Sequence, residues 1–500
     1  MAFTAELPAG PDLVVRRARL LDLVTGSVGP EQDLHVVNGR VARSSGSWAG
    51  PDVDLEGGIV MPGLWDAHVH LGQWALRQNW VDLSPATSAR HAASLLREAL
   101  ADRPADQVLV GYGFRDSRWP DAPSDQVLAD AVSDRPVVAM SGDMHAVWAT
   151  HSALARLGLD HSSGHLVEED AFEVHRRVNT LPDEQLDALV TCAGREAAAR
   201  GVVGVVDLEM VDGVPAWQRR FEAGFDSLAV RTGIYPQWLP AAVERGLRSG
   251  DLLDDLGLLA VGPLKVIVDG SLTARTAWCS EPYAASTLGA ANPDHPCGLA
   301  NVEHDDLVHL MSIAAAQGLE CAIHAIGDAA VSDVLDAFAE TGASGSIEHA
   351  QLVTDDDITR MADLGLRASV QPAHLLDDRA AMDDLWPGRT RHAFPLASMA
   401  RAGVRLSLGS DAPVAPLDPW LAIESAVLRS DDKLDAWHPE QALSLSQALV
   451  ASCRGVSSLV AGAEADLIVL DENPFDIDPD RLHRIRPRMT MLAGRVTAQA

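Results

Sequence analysis

The stretch GGIVMPGLWDAHVH (57–70) decides how this chain is read. An apolar run ends in alternating Asp, His and His, the pattern of a buried strand that delivers polar side chains at its C-terminal end. Strand side chains alternate between faces, so His68 and His70 project from the same one. They lie roughly 6.5 to 7 Å apart along the strand, a separation that one metal ion can bridge. Outward from this stretch come seven more short runs ending in Gly, Asp, His or Pro: GVVGVVDL (201–208), LAVRTGIY (228–235), PLKVIVDG (263–270), LECAIHAIG (319–327), SGSIEHAQ (344–351), LRASVQP (366–372) and VRLSLGSDAP (404–413). Between them lie helical-period segments such as DAAVSDVLDAFAETG (328–342), with an Asp cap and a terminal Gly. Eight strands alternating with helices predict an α/β fold, a (β/α)8 TIM-type barrel whose chemistry sits at the C-terminal strand ends. A doubly wound open sheet is the rival, but no GxGxxG or GxxxxGK[ST] follows an early strand.

The chain ends differ from the middle. Short alternating runs (DLVVRRARLLD, DLHVVNGRVAR) and then ADLIVLDENP and MTMLAGRVTA predict a small β-sandwich domain built from both termini, residues 1–57 with 457–500. The barrel then spans 58–456. Residues 73–195 leave directly after the HxH pair and return to start the second strand. They are expected to be an insertion over the barrel mouth that supplies pocket wall.

Composition narrows the function classes. The 39 basic and 71 acidic side chains give a net charge of −32, which repels nucleic acid and anionic membrane surfaces. No apolar run approaches the roughly 20 residues of a membrane span, and the opening MAFTAELPAG has no basic segment leading into an apolar run. A cytoplasmic protein acting on a small molecule is expected, with a homodimer as its candidate assembly; a packing or dimerisation element remote from the metals is the alternative role for the insertion. The five cysteines show no CxxC spacing and are expected to be reduced core residues. Against 37 arginines stand only two lysines, Lys265 and Lys433. Lys433 sits among acidic and polar residues, as a surface charge would. Lys265 opens an apolar β-branched run, where a solvated cation is least expected.

His324, His349 and Asp411 also fall near C-terminal strand ends, so four imidazoles and a carboxylate converge, a set suited to Zn²⁺ or a similar divalent ion. Cys321 lies an odd number of residues before His324 and should point to the opposite face. An uncharged Lys265 amine on the inner face could react with CO₂ to give a carbamate bridging two ions. Two divalent ions, a carbamate, Asp411 and a hydroxide would leave about one positive charge to polarise a substrate carbonyl. A salt bridge from Lys265 to Asp269 is the alternative.

Together VMPGLWDAHVHL, VGYGF, GDMHAVWATHSAL, LKVIVDGSLTARTAW, AIHAIGDAAV, SIEHAQL, SVQPAH, LGSDAPV and the terminal AEADLIVLDENP give the sequence a resemblance to the amidohydrolase superfamily. Within it, the chain is similar to the branch of N-substituted formamide deformylase (amidohydrolase family 3), from about residue 12 to the C-terminus. The resemblance implies His68, His70, His324, His349 and Asp411 as ligands of two divalent metal ions, most simply Zn²⁺, with carboxylated Lys265 as the bridge. It also implies Asp411 as proton shuttle and His145 as a residue of the substrate pocket. The segment QALVASCRGVSSLVAGAEADL departs from the family pattern without removing a ligand.

The chemistry implied is cleavage of a C–N amide bond, of formamide or N-acyl type, by metal-activated hydroxide. Asp411 would act first as base and then as acid toward the leaving nitrogen, and His145 or Tyr112 would stabilise the oxyanion. Trp148, Arg275, Trp278, Gln371 and His374 form the expected substrate-binding set. A mononuclear hydrolytic deaminase needs no lysine and is a second reading. A non-catalytic barrel binding protein is a third, which the complete ligand set disfavours.

Overall fold

Each of the eight apolar runs becomes a strand of one parallel sheet, because short β-branched segments flanked by amphipathic helices can be buried on both faces. The strands are β1 (Leu64–Val69), β2 (Val202–Asp207), β3 (Ala229–Ile234), β4 (Leu259–Ile267), β5 (Cys321–Ala325), β6 (Gly345–His349), β7 (Arg367–Val370) and β8 (Arg405–Leu408), each paired with the next in this order. Beyond β8 the chain returns to β1. Asp411 N donates to His68 O at 2.7 Å, His70 N donates to Ala412 O at 2.9 Å, and Val69 and Ala412 form a parallel bridge. Buried Asp66 pins the same seam, its Oδ1 accepting from the backbone N–H of His68 and of Ser410 at 3.1 and 3.0 Å. The sheet thereby closes as the barrel expected. This computed structural model describes residues 12–42, 51–101, 103–104, 107–114, 119–141, 146–167, 169–284, 294–430 and 434–500.

The stretch 57–70, read as one strand, is two. Ile59–Pro62 pairs with Leu467–Leu470 in a sheet made from both chain ends, and Gly63 then turns the chain into β1. A Cβ at Gly63 would lie 2.3 Å from the side chain of Val203, so only glycine fits there. The terminal strands form one continuous eight-stranded sheet over a core that includes Val15, Val36, Val60, Leu467, Val469 and Met491. The chain divides into two compact units, Met1–Leu71 with Thr191–Ala500, and Gly72–Val190. The terminal sheet thus shares a unit with the barrel. Thr490 Oγ1 donates to Ala198 O at 2.6 Å, and Arg200 donates to Ile485 O and pairs with Asp418.

Between strands, helices cover the barrel. The segment 328–342 forms a helix over Asp328–Thr341, stopped by Gly342 in the left-handed conformation. Its N-cap is Gly327 rather than an Asp. Asp328 lies one position inside, where its charge complements the helix dipole and its carboxylate accepts from Ser280 N at 3.0 Å. The second unit has its own five-stranded sheet, in which Leu109–Phe114 and Val137–Ser141 are parallel and Ala146–Ala149 returns antiparallel. No helix among the described residues is long and apolar enough to cross a membrane.

Candidate metal centre

Three backbone irregularities aim the site. Against β2, Asp66 is level with Val205 but Val69 with Asp207, so β1 carries an extra residue between them. Such a bulge shifts the alternation by one. Trp65 and Ala67 before it, and His68 and His70 after it, all line the barrel interior. On β6, Ser346 and Glu348 share one face by alternation. His349, which alternation would send outward, is turned in by a φ of +70°. Asp411 also sits in the left-handed region, at φ +54°. Non-glycine residues held there store strain, as residues of functional sites often do.

These devices gather the donors. The ligand atoms of His68, His70 and Asp411 lie within 4.8 Å of one another, and so do those of His349, His374 and Asp411. Asp411 Oδ1 is 3.2 Å from His70 Nε2 and 3.5 Å from His68 Nε2, and Oδ2 is 3.9 Å from His374 Nε2. The His68 and His349 rings are 5.0 Å apart, and those of His324 and His349 4.4 Å. His324 Nε2 stands 3.3 Å from Gly270 O and 3.4 Å from Asp269 Oδ1.

Charge in the site follows from burial and neighbours. Burial opposes ionisation of Asp411, but the imidazoles of His68, His70, His349 and His374 outweigh it and hold the carboxyl well below the usual range. Burial and nearby Lys265 push His324 down to about 3, and burial also takes His349 well below its ordinary value. Neutral imidazoles are the form that offers a lone pair. Lys265 is 1% exposed, and burial lowers its amine despite attraction from Glu348 and Asp411. An unpaired buried ammonium costs several kcal/mol, so the amine is held toward its neutral form.

Within this cluster four buried donor atoms have no hydrogen-bond partner: His70 Nδ1, Lys265 Nζ, His349 Nδ1 and His374 Nε2. Buried polar atoms are normally satisfied, and so concentrated an exception fits a group of residues that binds a cation. The salt bridge between Lys265 and Asp269 is not formed. Asp269 is instead occupied by backbone, accepting from Trp278 N, Ile326 N and Gly327 N at 2.9, 3.0 and 2.9 Å.

Other expected residues have different places. His374, expected to touch substrate, lies among the donors themselves. Gln371 is 1% exposed and its amide donates to Ser369 O at 3.2 Å. Trp278 packs half-buried against the barrel core, and Arg275 is half-buried in the turn after β4 at φ +57°. Tyr112 belongs to the second unit, half-buried near Trp80 with the Arg77 guanidinium 4.4 Å above its ring. Trp148 is not a pocket residue: it is fully buried in the core of the second unit, with its indole N–H donating to Ser124 O at 3.1 Å. His145 and Lys433 lie outside the described residues. Cys321 faces the apolar layer between barrel and helices, away from the donors as expected, and burial pushes its thiol up to about 12.

One residue at the centre escaped the sequence reading. Glu348 Oε2 lies 2.7 Å from His68 Nδ1, its Oε1 accepts from Ser346 Oγ at 2.6 Å, and both Glu348 and His68 are buried. It fixes the His68 ring with Nε2 toward Asp411, the supporting role that carboxylates play behind metal-binding histidines. The sequence signal for it is the shared parity of Ser346 and Glu348, which puts both side chains on one face of the strand.

A family model described as the amidohydrolase family matches residues 53–498. The chain is 27% identical to the protein YtcJ of Bacillus subtilis (strain 168), over 91% of this chain and 92% of that one. It is 25% identical to N-substituted formamide deformylase of Arthrobacter pascens, over 89% and 90%. Among solved structures it is similar to a metal-dependent hydrolase from Pyrococcus horikoshii OT3, with a TM-score of 0.78 at 26% identity over 94% of this chain and 98% of that one. The donor cluster at the closing seam of the barrel and the match over nearly the whole chain lead to one conclusion: the chain belongs to the amidohydrolase family and is a hydrolase of carbon–nitrogen bonds.

Proposed function

We propose that this chain hydrolyses a formamide or N-acyl amide of a small organic molecule at a binuclear zinc centre held by His68, His70, His324, His349, Asp411 and a carboxylated Lys265. The observation that carries this reading is Lys265: a buried amine without a hydrogen-bond partner, on β4 and close enough to His68, His70, His324 and His349 to oppose their protonation. Its nitrogen can attack CO₂ and lose a proton, giving a carbamate and turning a repulsive group into an anionic ligand. A mononuclear deaminase would have no use for it. His374 extends the donor set on the His349 side. Similarity to N-substituted formamide deformylase supports the choice of substrate class.

A divalent cation bound there supplies Lewis acidity and a water of lowered pKa. The chain's own residues do the rest. Asp411, close to His68, His70 and His374, takes a proton from water and returns it to the departing nitrogen, which leaves poorly unless protonated. Glu348 orients His68. The buried setting keeps bulk water from screening these charges. Metal analysis of the purified protein together with a panel of N-substituted formamides and N-acyl amines tests the proposal. Near two equivalents of zinc and turnover of that panel are expected; one equivalent, or turnover confined to amidines and aminopurines, would overturn it.

A further inference from the structure

A TIM-type barrel normally fills its interior with side chains. Here the interior on the N-terminal side of the strands holds an open pocket of about 450 Å³, whose wall includes buried Trp65 and Ser369, half-buried Arg231 and Arg367, and exposed Arg405 and Arg454. Arg367 and Arg405 open β7 and β8. Four guanidinium groups thus converge in a chain of net charge −32.

The acids nearby each have another partner, while Glu320 and Glu464 also attract Arg231 and Arg454, and Asp466 attracts Arg454. Glu320 pairs with Arg367 at 2.8 Å, and Glu348 is held by His68 and Ser346. Glu464 lies 3.9 Å from Arg40, and Asp466 accepts from Ala493 N at 2.8 Å. Arg405 donates to Gly365 O at 2.7 Å. Arg231 and Arg454 remain, and among the described residues no carboxylate lies within 4.0 Å of either. Both lean on Trp65, with guanidinium carbons 5.5 and 4.4 Å from its ring centre. Gly204 makes room for that indole, since a Cβ there would lie 2.4 Å from it. Ser369, 3% exposed, lines the same cavity with an Oγ that has no hydrogen-bond partner. Burial, with Arg454 and Arg367 close by, pulls the Arg231 guanidinium down to about 10.

We propose that this cavity binds a small molecule carrying an oxyanion group, carboxylate or phosphate, with Arg231 and Arg454 as the charged grip, Ser369 as a further donor and Trp65 as the apolar wall. Guanidinium forks match the oxygen spacing of both groups, and the volume suits a small organic ligand. The pocket shares Glu348 with the hydrolytic centre but is not lined by the metal-binding donors themselves.

Calorimetric titration of the metal-loaded enzyme at low ionic strength, with succinate and separately with sulfate as the phosphate-like probe, tests this. Saturable binding of at least one probe is expected, weakened tenfold or more by Arg454→Gln and by Arg231→Gln. It should be unchanged by Arg90→Gln, whose side chain is 77% exposed. Preference for succinate would identify a carboxylate ligand, and preference for sulfate a phosphate. Arg454→Gln alone decides the matter if Arg231→Gln does not fold. Absence of saturable heat up to about 10 mM, or equal affinity in Arg454→Gln, would overturn the proposal, the latter by placing the anion on the metal centre.

Discussion

At the C-terminal end of the barrel five imidazoles and one amine lie around Asp411, whereas at the N-terminal end four guanidiniums line a cavity with two acids, Glu320 paired to one of them and Glu348 bonded to His68 and Ser346. Both ends are lined with basic side chains, yet they suit opposite ligands. Burial lowers His68, His324, His349 and Lys265 toward neutral forms that offer lone pairs to a cation. Guanidinium keeps its charge and can only donate. The difference teaches that a cluster of basic groups has no single meaning, because the pKa of the side chain decides whether the pocket it forms is a cation or an anion site. Glu348 touches both ends, bonding His68 above and lining the cavity below.

The comparison breaks most completely at the first strand. Replacing His68 and His70 together by Ala should remove bound metal and lower turnover at least about 10³-fold, read by elemental analysis and by amide hydrolysis. The cavity below should still bind its anion. Asp411→Asn should follow, with kcat reduced about 10²- to 10⁴-fold while the fold and much of the metal remain, since the amide oxygen can still coordinate but cannot carry a proton. Circular dichroism and metal content separate this from misfolding, and kcat within a few fold of the parent would assign the base elsewhere.

Lys265→Ala tests the amine that distinguishes the two ends. Metal stoichiometry should fall from two toward one and kcat by about 10²-fold, with partial rescue by formate or acetate occupying the carbamate's place. Full metal content with unchanged turnover would remove the binuclear reading. The smallest effect is expected at the shared residue. Glu348→Gln keeps a hydrogen-bond acceptor near His68 but not its charge, and should weaken metal affinity about 10- to 100-fold. Excess zinc should then restore most activity, which loss through misfolding would not allow.

Much of this was legible in the chain before folding. The apolar runs near residues 64, 202, 229, 264, 321, 345, 367 and 405 became the eight barrel strands, because a strand buried on both faces must be apolar and short. His68, His70, His349 and Asp411 were readable as a group because each stands at the C-terminal end of such a run. Trp148 misled the reading, since an aromatic residue looks alike in sequence whether it lines a pocket or fills a core. Glu348 and the arginine cavity were hidden because their meaning depends on partners hundreds of residues away, such as His68 for Glu348.

By itself, then, the sequence determined the periodicities, the number of barrel strands and the residue types at their ends, all of which are local properties of the chain. Only the tertiary structure decided which faces those residues present. The bulge in β1 and the left-handed backbone at His349 and Asp411 override simple alternation, and such irregularities persist only when surrounding packing stabilises them. The tertiary structure likewise decided that Asp269 serves backbone amides while Lys265 has no carboxylate bonded to it. A competition of that kind is settled by distances across strands, which no local pattern encodes.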